Sequence, residues 1–267
     1  MGLLADWSRI PKVVVGMLHL PPLPGAPRFG GDVGAVVEHA LRDAGELAAG
    51  GVHGLMLENY GDLPFYPGRV PAHVVAHMTA VACEVRRRFP QLPLGINVLR
   101  NDGQGALAVA HAAGAQFIRV NVLCGARVAD QGLLQGIAHE LLRDRANLRA
   151  DHVKVLADVD VKHSAPLAAR PLEEEVADTL HRGLADGLIV SGAGTGRLTD
   201  PAQVAGARRA ARGAAPVFVG SGVTSENVAQ YLPHADGFIV GSAFKRDADP
   251  MNPIDVSRVK ELVARVR

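Results

Sequence analysis

The segment Val153 to His163 reads Val-Lys-Val-Leu-Ala-Asp-Val-Asp-Val-Lys-His. Side chains of an extended chain alternate between two faces, so Val155, Ala157, Val159 and Val161 share one face while Asp158, Asp160 and Lys162 share the other. A lysine flanked by carboxylates can stabilise developing negative charge, or act as a base or Schiff-base nucleophile if burial lowers its pKa. The same alternation, applied to the other apolar runs, turns Glu58, Asn97, Arg119 and Asn121 to that polar side, with His19 at the end of the first run and Ser191 after the sixth. In such a set Glu58 or Asp158 would carry a proton, Arg119 would hold an anionic or enolate oxygen, and Asn97 and Asn121 would orient hydroxyl groups. The carboxylates of Glu58, Asp158 and Asp160 could instead hold Mg²⁺ or Mn²⁺, which prefer oxygen ligands. The residue types leave lysine chemistry and metal chemistry both open.

A second constellation lies near the end of the chain. Pro216-Val217-Phe218-Val219-Gly220-Ser221-Gly222 and Asp236-Gly237-Phe238-Ile239-Val240-Gly241-Ser242 are short apolar runs that break at glycine beside serine. Glycine lets a backbone approach an anion closely, because no Cβ intervenes. Gly220, Ser221, Gly222, Gly241 and Ser242 therefore make a candidate phosphate cradle of backbone N–H groups, with a helix expected to start near Thr224 and Lys245 close enough to add charge.

These side chains must be positioned by repeated elements. Strand-like runs begin near Lys12, Gly54, Leu92, Ala115, Val153, Gly187, Pro216 and Asp236, and each precedes a segment of helical periodicity. The helices are predicted at Val33 to Ala49, Pro71 to Phe89, Gly103 to Ala113, Leu133 to Asn147, Leu172 to Leu184, Pro201 to Arg212, Ser225 to Leu232 and Asp255 to Val266. Four junctions repeat one pattern, centred on His53-Gly54, Gln116-Phe117, Asp186-Gly187 and Asp236-Gly237. Eight strand–helix units of this kind predict an α/β fold, a TIM (β/α)8 barrel in a single domain spanning residues 1–267. Such barrels place chemistry at the carboxyl ends of their strands and often bind phosphate after the last two. The proline-rich stretches Pro21 to Pro27 and Asp62 to Pro71 then become long first and second loops, suited to lids or to contacts in a homo-oligomer.

Composition narrows the function further. With 267 residues, 48% hydrophobic content and 30 glycines the chain can bury a large core. A formal net charge of +1 and an aromatic content of 4% argue against nucleic acid as a partner. Cys83 and Cys124 sit in unrelated contexts, so neither a disulfide framework nor a paired-cysteine zinc site is supported, and buried thiols in a reducing compartment are expected. Met1 to Lys12 lacks the basic start and apolar core of a secretory signal, and no apolar run approaches the roughly 18 residues of a membrane span. A cytoplasmic protein acting on a small molecule is the expectation.

Several segments together are similar to the BtpA/SgcQ family: Val15-Gly16-Met17-Leu18-His19-Leu20-Pro21-Pro22, Glu58-Asn59-Tyr60-Gly61-Asp62, Asn97-Val98-Leu99-Arg100-Asn101-Asp102, Asp130-Gln131-Gly132 and Asp158-Val159-Asp160-Val161-Lys162-His163. The resemblance spans nearly the whole chain and implies a barrel related to the ribulose-phosphate-binding enzymes. His53 and Gln116 stand where the family pattern has Asp, at strand starts, the end of a barrel that serves stability. The family name comes from a role in photosystem I assembly, while other members look like sugar-metabolism proteins. The resemblance thus implies either an enzyme of a small phosphorylated sugar-like compound, of isomerase or lyase type, or a non-enzymatic assembly or regulatory factor. An apolar patch exposed near Leu20 to Phe29 would favour the second and a deep charged pocket the first.

Overall fold

The computed structural model describes residues 3–192, 194 and 198–266. Its strands are β1 (Val13–His19), β2 (Gly54–Glu58), β3 (Leu94–Asn97), β4 (Phe117–Val120), β5 (Ala126–Ala129), β6 (Gly132–Gln135), β7 (Lys154–Val159), β8 (Ser164–Pro166), β9 (Gly187–Ser191), β10 (Val217–Gly220) and β11 (Gly237–Val240). The α-helices are α1 (Val33–Gly50), α2 (Ala72–Arg88), α3 (Gly103–Ala113), α4 (Ala138–Asn147), α5 (Leu172–Ala177), α6 (Pro201–Ala211) and α7 (Val256–Arg265). Eight parallel strands close in the order β1-β2-β3-β4-β7-β9-β10-β11 and back to β1, which is the (β/α)8 barrel expected from the alternation.

The four repeated junctions share one device. The side chain of the residue before β2, β4, β9 and β11 accepts the N–H of the preceding barrel strand: Val14 to His53 Nδ1, Leu94 to Gln116 Oε1, Val155 to Asp186 Oδ2, and Val217 to Asp236 Oδ2, all at 2.8–2.9 Å. Each of those residues returns its own N–H to the carbonyl of the same partner. The barrel is thus clipped in pairs of strands at its amino end. A ring nitrogen or an amide oxygen serves there as well as a carboxylate, which accounts for His53 and Gln116.

Strand parity divides the interior into layers. Met17, Met56, Phe117, Leu156, Ile189, Phe218 and Ile239 pack together inside the barrel, and Trp7 closes the bottom. Its ring lies 5.4 Å from that of Phe117, and its Nε1 donates to His53 O. Burying a large apolar side chain of this kind stabilises by roughly 1.5–3 kcal/mol. Gly95 completes the ring because a Cβ there would meet Phe117 Cε2 at 2.2 Å. Two positions along each of these strands come His19, Glu58, Asn97, Arg119, Asp158, Ser191, Gly220 and Gly241. The apolar layer therefore forms the floor beneath the polar one. The opposite strand faces pack on the helices in a separate, larger core that includes Val14, Leu57, Ile118, Ala157 and Val190.

Three helix predictions need correction. Leu133 to Gln135 is strand, and α4 starts at Ala138. β5 and β6 pair as an antiparallel hairpin around Asp130 and Gln131, with Gly132 at φ +94°, and β8 adds to β5. The helix predicted at Leu172 to Leu184 is α5 followed by a π-helical turn at Asp178–Arg182. Ser225 to Leu232 holds only a short 3-10 turn at Val228–Gln230; Asn227 Oδ1 accepts from Thr224 N–H and its Nδ2 donates to Gly222 O. Cys83 is exposed rather than buried.

Candidate active site

The polar layer is held from beneath and from the sides. Arg119 Nη2 donates to Asp158 Oδ2 at 3.0 Å, and its Nε lies 3.2 Å from both carboxylate oxygens. Asn121 Nδ2 donates to the same Asp158 Oδ2 at 2.6 Å, and Asn97 Nδ2 donates to Arg119 O and Asn121 Oδ1. Burial alone would weaken the charge of Arg119, but Asp158 and Glu58 overcome it and raise its pKa. Among the described residues, buried Asn97 Oδ1 and Ser191 Oγ have no hydrogen-bond partners, so this layer retains unused acceptor and donor capacity.

Glu58 and His19 stand opposite each other in register, with His19 Nε2 3.8 Å from Glu58 Oε1. Burial, with Lys245 and Lys162 nearby, lowers the His19 pKa to about 3, so the imidazole is neutral at physiological pH. Lys162 is lowered to about 8, first by burial and next by Arg119, with Glu58 and Asp158 pulling the other way. A lysine titrating there exchanges protons near neutral pH, the range in which a general base or acid is effective.

The glycine loops border the same cleft. Met17, His19, Glu58, Arg119 and Lys162 line it from one side, and Ser221, Gly222, Gly241 and Ser242 from the other. Ser221 and Gly222 are both left-handed, at φ +71° and +66°. The carbonyls of this turn are engaged outward: Thr199 Oγ1 donates to Gly220 O and Ser221 O, each at 3.1 Å, and Asn227 Nδ2 donates to Gly222 O at 2.7 Å. Thr199 is in turn fixed by Tyr231, whose hydroxyl donates to Thr199 O. In the neighbouring loop Gly241 O and Ser242 O accept from Phe244 and Lys245. Among the described residues no turn or loop carbonyl accepts from the N–H groups of Ser221, Gly222, Gly241 or Ser242. Gly241 is required because a Cβ would lie 2.7 Å from His19 Cε1.

A wider lobe of about 480 Å³ continues the cleft outward. Glu58 and Lys162 border it together with Tyr60, Leu63, Phe65, Leu99, Arg100, Asn121, Asp130, Gln131 and His163. Its walls are loops that grip one another. Asn59 Oδ1 accepts from Leu99 N–H, Asn59 Nδ2 donates to Asp62, and Asp62 Oδ1 accepts from Leu23 N–H. Asn101 fastens the β4 exit through Val122 N–H and O, and Asp102 caps α3 while holding Val70 N–H.

Some expected placements do not hold. Asp160 leaves the polar face at φ +54°, where its carboxylate takes Arg127 on one oxygen and Gln203 Nε2 at 2.8 Å on the other. The grouping of Glu58, Asp158 and Asp160 is therefore not formed, and among the described residues no cluster of His, Cys, Asp or Glu could hold a metal ion. Lys245 is fully buried against Asp43 of α1 and does not line the cleft. Ser191 is buried and Gly220 presents its carbonyl to Thr199, so neither borders the cavity. Tyr60, Arg100 and Thr199 are not singled out by the sequence pattern. The first two lie within Glu58-Asn59-Tyr60 and Asn97-x-x-Arg100, where the motif itself was the available signal.

A closed (β/α)8 barrel whose polar residues gather at the carboxyl ends of its strands is a TIM barrel with its candidate active site at the usual face. The chain belongs to the BtpA family, whose model matches residues 10–267. It is similar to the photosystem I biogenesis protein BtpA of Synechocystis sp., 47% identical over 250 residues that cover 94% of this chain and 86% of the relative. In fold it is similar to a thiamine phosphate pyrophosphorylase from Pyrococcus furiosus, at a TM-score of 0.57 and 14% identity, covering 96% of this chain and 95% of the other. It is likewise similar in fold to KGPDC from Streptococcus mutans, at a TM-score of 0.59 and 10% identity, covering 96% and 97%. Among the described residues no helix is long and apolar enough to cross a membrane.

Proposed function

We propose that this barrel binds a small phosphorylated, sugar-like compound and transforms it by proton transfer, as an isomerase or lyase does. One observation carries the reading: backbone N–H groups of two adjacent loops, taken up by no turn or loop carbonyl among the described residues, border the same cleft as Glu58, Arg119 and Lys162. Several convergent N–H groups bind an anion without a nearby arginine. In this reading the phosphate rests on Ser221, Gly222, Gly241 and Ser242. Arg119, held rigid by Asp158, faces negative charge that develops on an oxygen, while Lys162 and Glu58 exchange the proton.

An assembly or regulatory factor is the other reading, prompted by the name of the Synechocystis relative. It would expose an apolar patch along Leu20 to Phe29. Leu20 and Leu23 are fully buried and Phe29 packs on the core, so this segment supports the cleft reading instead.

Calorimetric titration with sorbitol 6-phosphate and with sorbitol tests the phosphate site. The phosphorylated probe should bind at least about tenfold more tightly, and Gly222→Asp or Ser242→Asp should erase the difference by placing a carboxylate where the anion belongs. Ser242→Asp controls for the left-handed backbone at Gly222. Equal affinity of the wild-type protein for both probes would overturn the reading.

A further inference from the structure

We propose that the wide lobe accepts a carboxylate, with Arg100 as its counter-ion, so that the ligand is a phosphorylated sugar acid with an anion at each end. This rests on the phosphate reading of the glycine loops and adds the substrate class.

Arg100 is 3% exposed, yet its guanidinium forms no ion pair among the described residues. Its Nε is sealed from solvent without a hydrogen-bond partner. Its Nη2 donates to the carbonyl of Lys162, which fixes the group at the wall of the lobe. The other buried arginines are matched: Arg119 meets Asp158, and Arg127 meets Asp160 and Glu175. A buried charge without an ion-pair partner is costly, and a planar carboxylate matches the guanidinium fork in shape and charge. Burial weakens the charge of Arg100 most, Asp158 favours it, Arg119 opposes it, and Glu58 and Asp130 add support; the net direction is still downward, so these carboxylates, none ion-paired with Arg100, do not make up the deficit.

The rest of the lobe selects the kind of anion. Leu63, Phe65 and Leu99 form its apolar part, Tyr60, Asn121, Gln131 and His163 add polar groups beside Arg100, and Asp130 stands at the rim. A second phosphate carries nearly twice the charge of a carboxylate and so would meet stronger repulsion from Asp130. A carboxylate needs one guanidinium fork. Glu58 and Lys162 border both lobes, so the carbon chain joining the two anions crosses the proton-transfer groups.

The test is calorimetric titration of the full chain with three matched pairs: 3-phosphoglycerate and glycerol 3-phosphate, 4-phosphoerythronate and erythritol 4-phosphate, 6-phosphogluconate and sorbitol 6-phosphate. In at least one pair the acid should bind roughly 10- to 100-fold more tightly than the polyol phosphate. Arg100→Gln should reduce that preference to within about threefold, and Arg100→Lys, which keeps charge but loses the fork, should restore only part of it. Unchanged affinity of both variants for the polyol phosphate shows that the fold survives. No preference in any pair, a preference that survives in Arg100→Gln, or tighter binding of sorbitol 1,6-bisphosphate than of 6-phosphogluconate would each overturn the carboxylate assignment while leaving the phosphate site standing. Conversely, gluconate bound over sorbitol through Arg100, with no gain from phosphate, would support the carboxylate site and remove the phosphate one.

Discussion

Arg119 and Asp158 face each other across adjacent strands of the barrel, with the Arg119 Nε 3.2 Å from each oxygen of the Asp158 carboxylate and Nη2 3.0 Å from one of them. Both residues are buried, and the pair sits directly above the apolar layer of Phe117 and Leu156. The cation that lines the cleft therefore keeps its orientation before any ligand arrives. Such preorganisation is what makes a charge useful to a reaction in a site that excludes water.

Asp158→Asn should leave Arg119 buried without its counter-charge and destabilise the protein by about 3–5 kcal/mol. Urea denaturation measures this. The double variant Arg119→Met with Asp158→Leu should recover most of the loss, because apolar groups of similar volume often replace a buried pair without cost. It should nevertheless bind sorbitol 6-phosphate more weakly than wild type. Full binding by the double variant would show that Arg119 has no part in the cleft.

Lys162 gives stability a pH dependence of known sign. Its folded pKa of about 8 lies below the ordinary lysine value of 10.5, so between those pH values the unfolded chain holds a proton that the folded chain has released. Stability from this group therefore rises as pH increases from about 8 to 10.5, and the penalty for its charge is fully present below pH 8. Comparing urea midpoints of wild type and Lys162→Met across that window should show the wild type gaining on the variant. Parallel curves would mean that Lys162 titrates normally in the folded protein.

Lys245 and Asp43 form a second buried pair, at 0% and 1% side-chain exposure, which ties the loop after β11 to α1. Lys245→Met should cost about 3–5 kcal/mol, since it strands the Asp43 carboxylate. Burial works to raise the Asp43 pKa, but hydrogen bonds and charge from His39 and Lys245 outweigh it and hold the group below its ordinary value. The stabilisation is thus present above the ordinary carboxylate pKa and is lost as pH falls through the lower folded value. The difference between wild type and Lys245→Met, followed by thermal unfolding, should shrink in acid. A difference that stays constant down to full protonation of carboxylates would contradict this account.

Much of the site was legible because strand alternation is local. Given a barrel, the period of two places His19, Glu58, Asn97, Arg119 and Asp158 on the inner face without any knowledge of their partners. The four helix-to-strand junctions were equally visible as a repeat, and their shared hydrogen bond explains why the repeat exists. The hairpin of β5 and β6 was missed although Asp130-Gln131-Gly132 is turn chemistry, because Leu133 and Leu134 also fit the start of a helix.

The sequence by itself determined the barrel and the inward-facing polar set, since both follow from composition and short-range periodicity. Only the tertiary structure decided where the chain goes once a strand ends. Asp160 continues the sequence pattern of Asp158, yet Arg127 and Gln203 draw it away, and Thr199 and Asn227 turn three carbonyls of the Gly220–Gly222 loop outward. Arg100, three residues past Asn97 at the end of β3, reaches the cleft from a loop. Past a strand end the direction of each side chain is set by partners distant in sequence, which no local period encodes.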